Sequence, residues 1–219
     1  MKKLKHTIAQ ELKQHYLLFA LAFFCLALLL IRAKVTQSVY LFFLIWNLFL
    51  SYTPLATTSL MINRVNLIER NTLFYPAFAC WLLLLPNAPY ILTDFVHLNT
   101  KTHIPFWFDA LLIATASICG LLFGLASMKN MHRILSVKFS NSAVTFILAM
   151  SCFLAGFGVY LGRFLRYNSW DVLQKPLALS TDILHSLIAP STCRLAWGIT
   201  LGFGVLQLVL FRLYYKREH

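Results

Sequence analysis

Residues 73–94 read LFYPAFACWLLLLPNAPYILTD, an apolar run long enough to cross a bilayer but interrupted by two prolines near its far end. Each proline removes a backbone donor, and Pro89 disfavours helical geometry at Ala88, so the run reads as a helix that breaks at Pro86–Pro89. If helical, Leu73 to Leu85 rises only about 20 Å, which sets the break within or near the far edge of the hydrocarbon. Carbonyls freed around Leu82 to Leu85 then need partners from neighbouring helices or a wet cavity.

The rest of the chain has the composition of a lipid-embedded protein. Hydrophobic residues make up 59% and charged residues 12%, with a mean hydropathy of +0.71, whereas soluble domains are about a quarter charged. The apolar runs 16–31, 39–62, 73–92, 106–128, 143–161 and 195–213 are each close to the roughly 20 residues of a span. The basic N-terminal stretch and first run resemble a signal peptide, but no small-residue cleavage site follows, so residues 16–31 read as an uncleaved first helix. The expected fold is all-α, a polytopic membrane bundle of about six transmembrane helices. Residues 1–219 should form a single transmembrane domain, since no linker or low-complexity tract divides them.

A formal charge of +12 would suit a nucleic-acid partner, but the Lys and Arg residues sit between the apolar runs, so nucleic acid is not expected. Twelve of the 19 Lys and Arg residues fall on the N-terminal side of the alternating topology. By the positive-inside rule both termini should be cytoplasmic. The five cysteines show no CxxC spacing, and Cys25, Cys80, Cys119 and Cys152 lie inside apolar runs, where they read as packing residues. Ala116, Gly120 and Gly124, then Gly158 and Gly162, then Gly198 and Gly202 recur every fourth residue as helix-packing seams. A homo-oligomer is a separate expectation, one that would let so few spans serve as a transporter.

The aspartates do not follow the positive charge. Asp94, Asp109, Asp171 and Asp182 all fall on the exoplasmic side of this topology with His97, His103 and His185, while Glu11, Glu69 and Glu218 fall opposite. Asn87 can cap a new short helix with Pro89 in its first turn. On that helix Tyr90, Asp94, His97 and Lys101 form one polar stripe, with Ile91, Leu92, Phe95, Val96 and Leu98 facing away. The stripe serves equally as the wet side of an interfacial helix.

Asp109 lies one turn into the fourth span, where the helix dipole favours a carboxylate by about 0.3–1 kcal/mol. Its role depends on whether it faces the stripe. Arg163 and Arg166 are helical neighbours able to grip a carboxylate or phosphate bidentately, or else to snorkel or pair with Asp94, Asp109 or Asp171. Asn168 and Asp171 also read as a helix cap. Between Pro176 and Pro190 lies an amphipathic stretch too short to span, an expected interfacial helix. There Asp182 and His185 echo the spacing of Asp94 and His97, and the two pairs are the candidate metal ligands.

Two of these stretches, Trp81 to Asp94 and Tyr160-Leu-Gly-Arg163-Phe-Leu-Arg166-Tyr-Asn168-Ser169-Trp170-Asp171, resemble the signature segments of a bacterial membrane family catalogued as domain of unknown function 1361. Trp107-Phe108-Asp109 resembles a third, shorter element, and the likeness runs from the second span to the last. Phe108 stands where a tyrosine is common and Tyr167 where a tryptophan is common, and both keep an aromatic ring. The resemblance implies a polytopic membrane protein and carries no activity, substrate or cofactor. The second Asp-x-x-His pair is not part of its pattern, which weakens the metal reading.

Three functions fit these residues. In a binding protein Asn87, Tyr90, Arg163, Arg166, Asn168, Trp170 and Asp171 would hold an anionic amphiphile or lipid headgroup, with membrane lipids as partners. In a hydrolase or transferase on a lipid-linked substrate, Asp94, His97 and Asp109 would act as acid, base or metal ligands. A small transporter would use the broken helix as its substrate site, but the polar residues gather at one face rather than the midplane.

Overall fold

The computed structural model describes residues 15–98 and 105–217. Seven helices of eight residues or more carry the fold: α1 (Tyr16–Thr36), α2 (Phe43–Asn63), α3 (Asn71–Leu84), α4 (Phe106–Ser136), α5 (Asn141–Arg163), α6 (Pro176–Ile188) and α7 (Pro190–Arg217). Past α3 the chain runs through a helical turn at Asn87–Tyr90 into a 3₁₀ segment, Ile91–His97. No strand occurs among the described residues. His103 and Lys101 lie outside the described residues, as do the N-terminal basic stretch with Glu11 and, at the other end, Glu218.

Among the described residues five segments are long and apolar enough to cross a membrane: Tyr16–Thr36, Asn71–His97, Phe106–Ser136, Asn141–Arg163 and Thr192–Lys216. They answer to five of the six spans expected. The remaining one, α2, has the length at 21 residues but carries Asn47, Ser51, Thr57, Thr58 and Ser59 along with its apolar residues. Ser51, Thr57 and Thr58 bond back to their own helix, to the carbonyls of Leu48, Thr53 and Leu55, a device suited to apolar surroundings, while the buried Ser59 hydroxyl finds no partner among the described residues. Polar helix interior, rather than short length, lowers its hydropathy. The 13-residue α6 is too short to span at about 1.5 Å per residue and leaves Leu177, Leu184 and Ile188 exposed.

α4 is the axis of the bundle. In its most apolar window 72% of residues are buried, against 22–44% in the other four spans. It packs against α1, α2, α5, α7 and the Asn87–His97 segment. Ties between polar side chains are few: Trp81 donates to Ser127 at 3.3 Å and Asn130 to Thr58 at 3.4 Å.

Glycines bring the backbones together, though not all where the spacing suggests. A side chain at Gly120 would meet Ile91 at 2.8 Å, one at Gly124 would meet Ala88 at 2.6 Å, one at Gly158 would overlap the Pro86 ring, and one at Gly162 would meet Tyr90 at 3.1 Å. Seams from two helices thus close on the same six residues, 86–91. The expected seam at Gly198 and Gly202 is a correction, because nothing lies within 4 Å of either position. α7 approaches α5 instead through Gly156, against the Thr200 carbonyl, and Gly204, against Phe153.

We expect Gly158→Ala to lower the thermal unfolding midpoint in detergent, because the proline ring cannot rotate away and overpacking costs about 1–3 kcal/mol. Gly202→Ala, with open space around it, should leave the midpoint unchanged or raise it by the helix preference for alanine, up to about 1 kcal/mol.

Candidate functional site

The double proline is absorbed without reversing the backbone. Leu85 (φ −55°, ψ −37°) and Pro86 (φ −57°, ψ −26°) stay right-handed, and Ala88 lies within the turn Asn87–Tyr90. Ala88 is therefore not displaced from helical geometry as the Pro89 rule suggests. The interruption is one of hydrogen bonding: the Ala88 N–H reaches back three residues to Leu85 and the Tyr90 N–H four to Pro86, after which the helix tightens to 3₁₀. Nor does Asn87 cap the new turn. Its amide folds back and donates to the Leu84 carbonyl at 2.9 Å, while the Ser169 hydroxyl donates to the Leu83 carbonyl at 2.9 Å. Freed carbonyls find partners as the bilayer requires, one of them from the loop after α5.

That loop is held over the break by an unusual residue. Arg166 has φ 60°, a left-handed conformation that costs a side-chain-bearing residue of order 1–2 kcal/mol. The bend turns the Tyr167 N–H back to the Leu161 carbonyl at 3.1 Å and leaves the Arg166 side chain exposed beside the break. Among the described residues Arg166 has no ion pair.

The tightened segment buries Asp94 to 1% exposure. Asn47 on α2 donates to its carboxylate at 2.7 Å, and Arg163 at the end of α5 stands 3.8 Å from the other oxygen. A second guanidinium nitrogen of Arg163 lies 3.4 Å from His97 Nε2, and the imidazole packs on Phe43 with ring centres 4.7 Å apart. Asp94, His97 and Arg163 are thus neighbours. Asn47 was missed by the sequence reading, although an asparagine inside an apolar span was the available signal.

Beside this network lies a cavity of about 720 Å³. Asn87, Tyr90, His97, Arg163, Arg166 and Asn168 line it, all of them sequence candidates, together with Asn47 and Ser169. Its remaining wall is largely apolar, with Leu50 from α2, Leu82 and Leu83 from α3, and Leu154, Phe157 and Leu161 from α5. Asp94 sits behind the wall, reached through Asn47 and Arg163.

Other candidates are placed elsewhere. Asp109 does not face the stripe: Arg32 on α1 grips it with Nε at 2.7 Å and Nη2 at 3.0 Å, and both side chains are buried. This closed fork fastens α1 to α4 and draws Arg32, at the end of the first apolar run, into the bundle. Asp171 is buried and accepts the Asn168 N–H at 2.6 Å, a local cap that shapes the loop, and Trp170 does not line the cavity. Asp182 accepts from the Tyr167 hydroxyl at 2.8 Å, which raises the tyrosine above its usual pKa; His185 is exposed on α6. The two Asp-x-x-His pairs therefore engage different partners. Among the described residues no group of three or more His, Cys, Asp or Glu is placed to hold a metal ion, and of the candidates only Asp94 and His97 adjoin the cavity.

Long apolar helices, a bundle built on α4 and a polar network at one end define a polytopic helical membrane protein. Residues 46–210 match the family model described as Protein of unknown function (DUF1361), and the chain belongs to that family. The match takes in α3, the break, Asp94 and the arginine loop. No curated protein matches the chain, and no solved structure matches it.

We expect Asp109→Ala to destabilise the protein strongly, by about 3–5 kcal/mol, because it strands a buried guanidinium. Replacing both partners, Arg32→Met with Asp109→Leu, should restore much of that loss in thermal unfolding. Equal melting of the two variants would show that the pair is not the clamp described.

Proposed function

We propose that the protein binds an anionic amphiphile, with the negative headgroup seated between Arg163 and Arg166 in the cavity beside the broken helix. One observation carries the reading: two guanidinium groups stand at the polar end of a cavity whose remaining wall is mostly aliphatic and aromatic. A charged group is retained in such surroundings where it has a partner or a task. Asp94 takes up only part of Arg163, at 3.8 Å, and Arg166 is held in a strained backbone conformation beside the cavity it lines. Such strain persists where surrounding structure and function require it.

The resemblance to a bacterial membrane family supports an inner-membrane location, and the distribution of Lys and Arg supports both termini lying in the cytoplasm. That orientation sets the arginine end of the cavity at the exoplasmic face. A fluorescent protein fused after His219 should then be bright, and a periplasm-dependent phosphatase fused there should be inactive. The reverse pattern would invert the site.

The binding itself is tested on full-length protein by native mass spectrometry from nanodiscs containing phosphatidylglycerol. Wild type should retain bound anionic lipid, and Arg163→Gln with Arg166→Gln should lose it. Retention unchanged by both substitutions would overturn the reading.

Arg166→Gly separates function from fold. It should leave the unfolding midpoint unchanged or higher, since relief of about 1–2 kcal/mol of left-handed strain offsets glycine's greater freedom in the unfolded chain. Lipid retention should nonetheless fall. If Arg166 were merely structural, both readouts would move together.

A further inference from the structure

The cavity has an open flank as well as a polar end, and the flank specifies what occupies it. One wall is α2, through Trp46 and Leu50, and the other is α5, through Leu154, Phe157 and Leu161, with Leu82 and Leu83 of α3 behind them. Among the described residues α2 and α5 have no extensive packing with each other: α2 packs chiefly on α4 and α5 chiefly on α7, and both also touch α3. A slot is left between them. Its rim is apolar and uncovered: Trp46 is 54% exposed and Leu154 53%. An uncovered apolar rim on a bundle of membrane-crossing helices suits an opening toward the hydrocarbon.

Resting on the anionic-amphiphile reading above, we infer that the ligand is a phosphate-headed lipid entering sideways between α2 and α5. Its phosphate is held by Arg163 and Arg166, and its chain lies in the slot between Leu50 and Leu154. Size favours a lipid in part-embedded form. A volume of about 720 Å³ falls in the range of roughly 300–1,000 Å³ typical of small-molecule sites. That holds a headgroup and the first part of a chain, and the open flank lets the remainder stay in the bilayer.

Chemistry favours phosphate. A guanidinium fork occupies one edge of a carboxylate, whose two oxygens lie in a single plane and carry one charge between them. A phosphomonoester, as in phosphatidate, offers three oxygens that are not coplanar and up to two charges, and so presents a separate edge to each of two forks. The Asn168 amide and the Tyr90 hydroxyl, both at the cavity wall, add donors for the same group. The two amides nearest the break are already committed or shared: Asn87 bonds to Leu84, and Asn47 bonds to Asp94. This leaves the arginine loop as the principal headgroup contact.

The slot is tested with full-length protein in phosphatidylcholine nanodiscs containing phosphatidate brominated on its acyl chains. Bromine quenches nearby tryptophan, and the Trp46 share is isolated by subtracting the signal of Trp46→Phe. Wild-type quenching should saturate with brominated phosphatidate. Brominated oleate should act roughly tenfold more weakly or less, as expected from the loss of at least one charge-assisted hydrogen bond. Leu154→Phe should abolish saturable quenching by filling the slot, with Leu50→Phe as the second variant from the opposite wall should the first not fold. Glycerol phosphate, which has the headgroup and no chain, should compete only weakly.

Equal quenching by oleate and phosphatidate would overturn the phosphate assignment. Saturable quenching that survives Leu154→Phe and Leu50→Phe would overturn the sideways route, and full competition by glycerol phosphate would show that the chain contributes nothing. In each of these cases Arg163→Gln with Arg166→Gln reports separately on the cavity: loss of binding keeps the anionic site, and unchanged binding removes it together with the lipid.

Discussion

Two missing backbone donors organise one end of this molecule. Pro86 and Pro89 interrupt the hydrogen-bond ladder at the end of α3 and shift the donors around them, which frees the Leu83 and Leu84 carbonyls in surroundings where water is scarce and each unmet group would cost several kcal/mol. The structure answers locally and at a distance. Asn87 turns its own amide back to Leu84, and Ser169, 86 residues on from the carbonyl it serves, donates to Leu83. Because that second donor lies in the loop after α5, repairing the helix draws the loop over the break. The cavity and the arginines beside it follow from the repair.

Close packing then fixes the interrupted segment in place. Proline, alanine and isoleucine at 86, 88 and 91 are small or rigid enough to be held, and the glycines of α4 and α5 let both helices come to contact distance. A helix short of hydrogen bonds is thereby clamped from two sides by van der Waals contact, which drives helix association in lipid where hydrophobic burial cannot. Tightening to 3₁₀ past Tyr90 also changes the phase of the side chains. In a continuous α-helix the polar stripe would face one direction along its length. In the tighter turn Asp94 is carried inward to Asn47 while Val96 is left exposed.

This explains how far the sequence could be read. The helical class and the membrane environment were legible because apolar length and charge placement reflect the solvent directly. The gathering of Asp94, His97 and Arg163 was legible too, since helix ends of alternating direction put them on one face. What could not be read was pairing. Asp109 and Asp94 look alike as isolated aspartates near helix ends, and only the position of α1 decides that Arg32 closes on one of them. Gly198 and Gly202 carry the same spacing as the working seams, yet nothing approaches them, because spacing gives a face and not its neighbour. The residue before Pro89 kept helical geometry because the surrounding helices outweighed a local preference of a kind that tertiary contacts often override.

The two ion pairs at this end of the bundle show why one serves the fold and the other can serve a ligand. Arg32 and Asp109 meet through two short bonds, with side-chain exposures of 2% and 4%; the charges are spent on each other. Arg163 and Asp94 meet at 3.8 Å, and the arginine is 22% exposed where the aspartate is 1%. Asp94 obtains its short bond from Asn47, a neutral donor, so the buried carboxylate is satisfied without consuming the guanidinium. Had α2 carried an apolar residue at position 47, Asp94 would need Arg163 closely, and the cavity would lose one of its two cations. A neutral amide in an apolar helix therefore leaves the positive charge facing outward, which is the electrostatic condition for an anion to bind there.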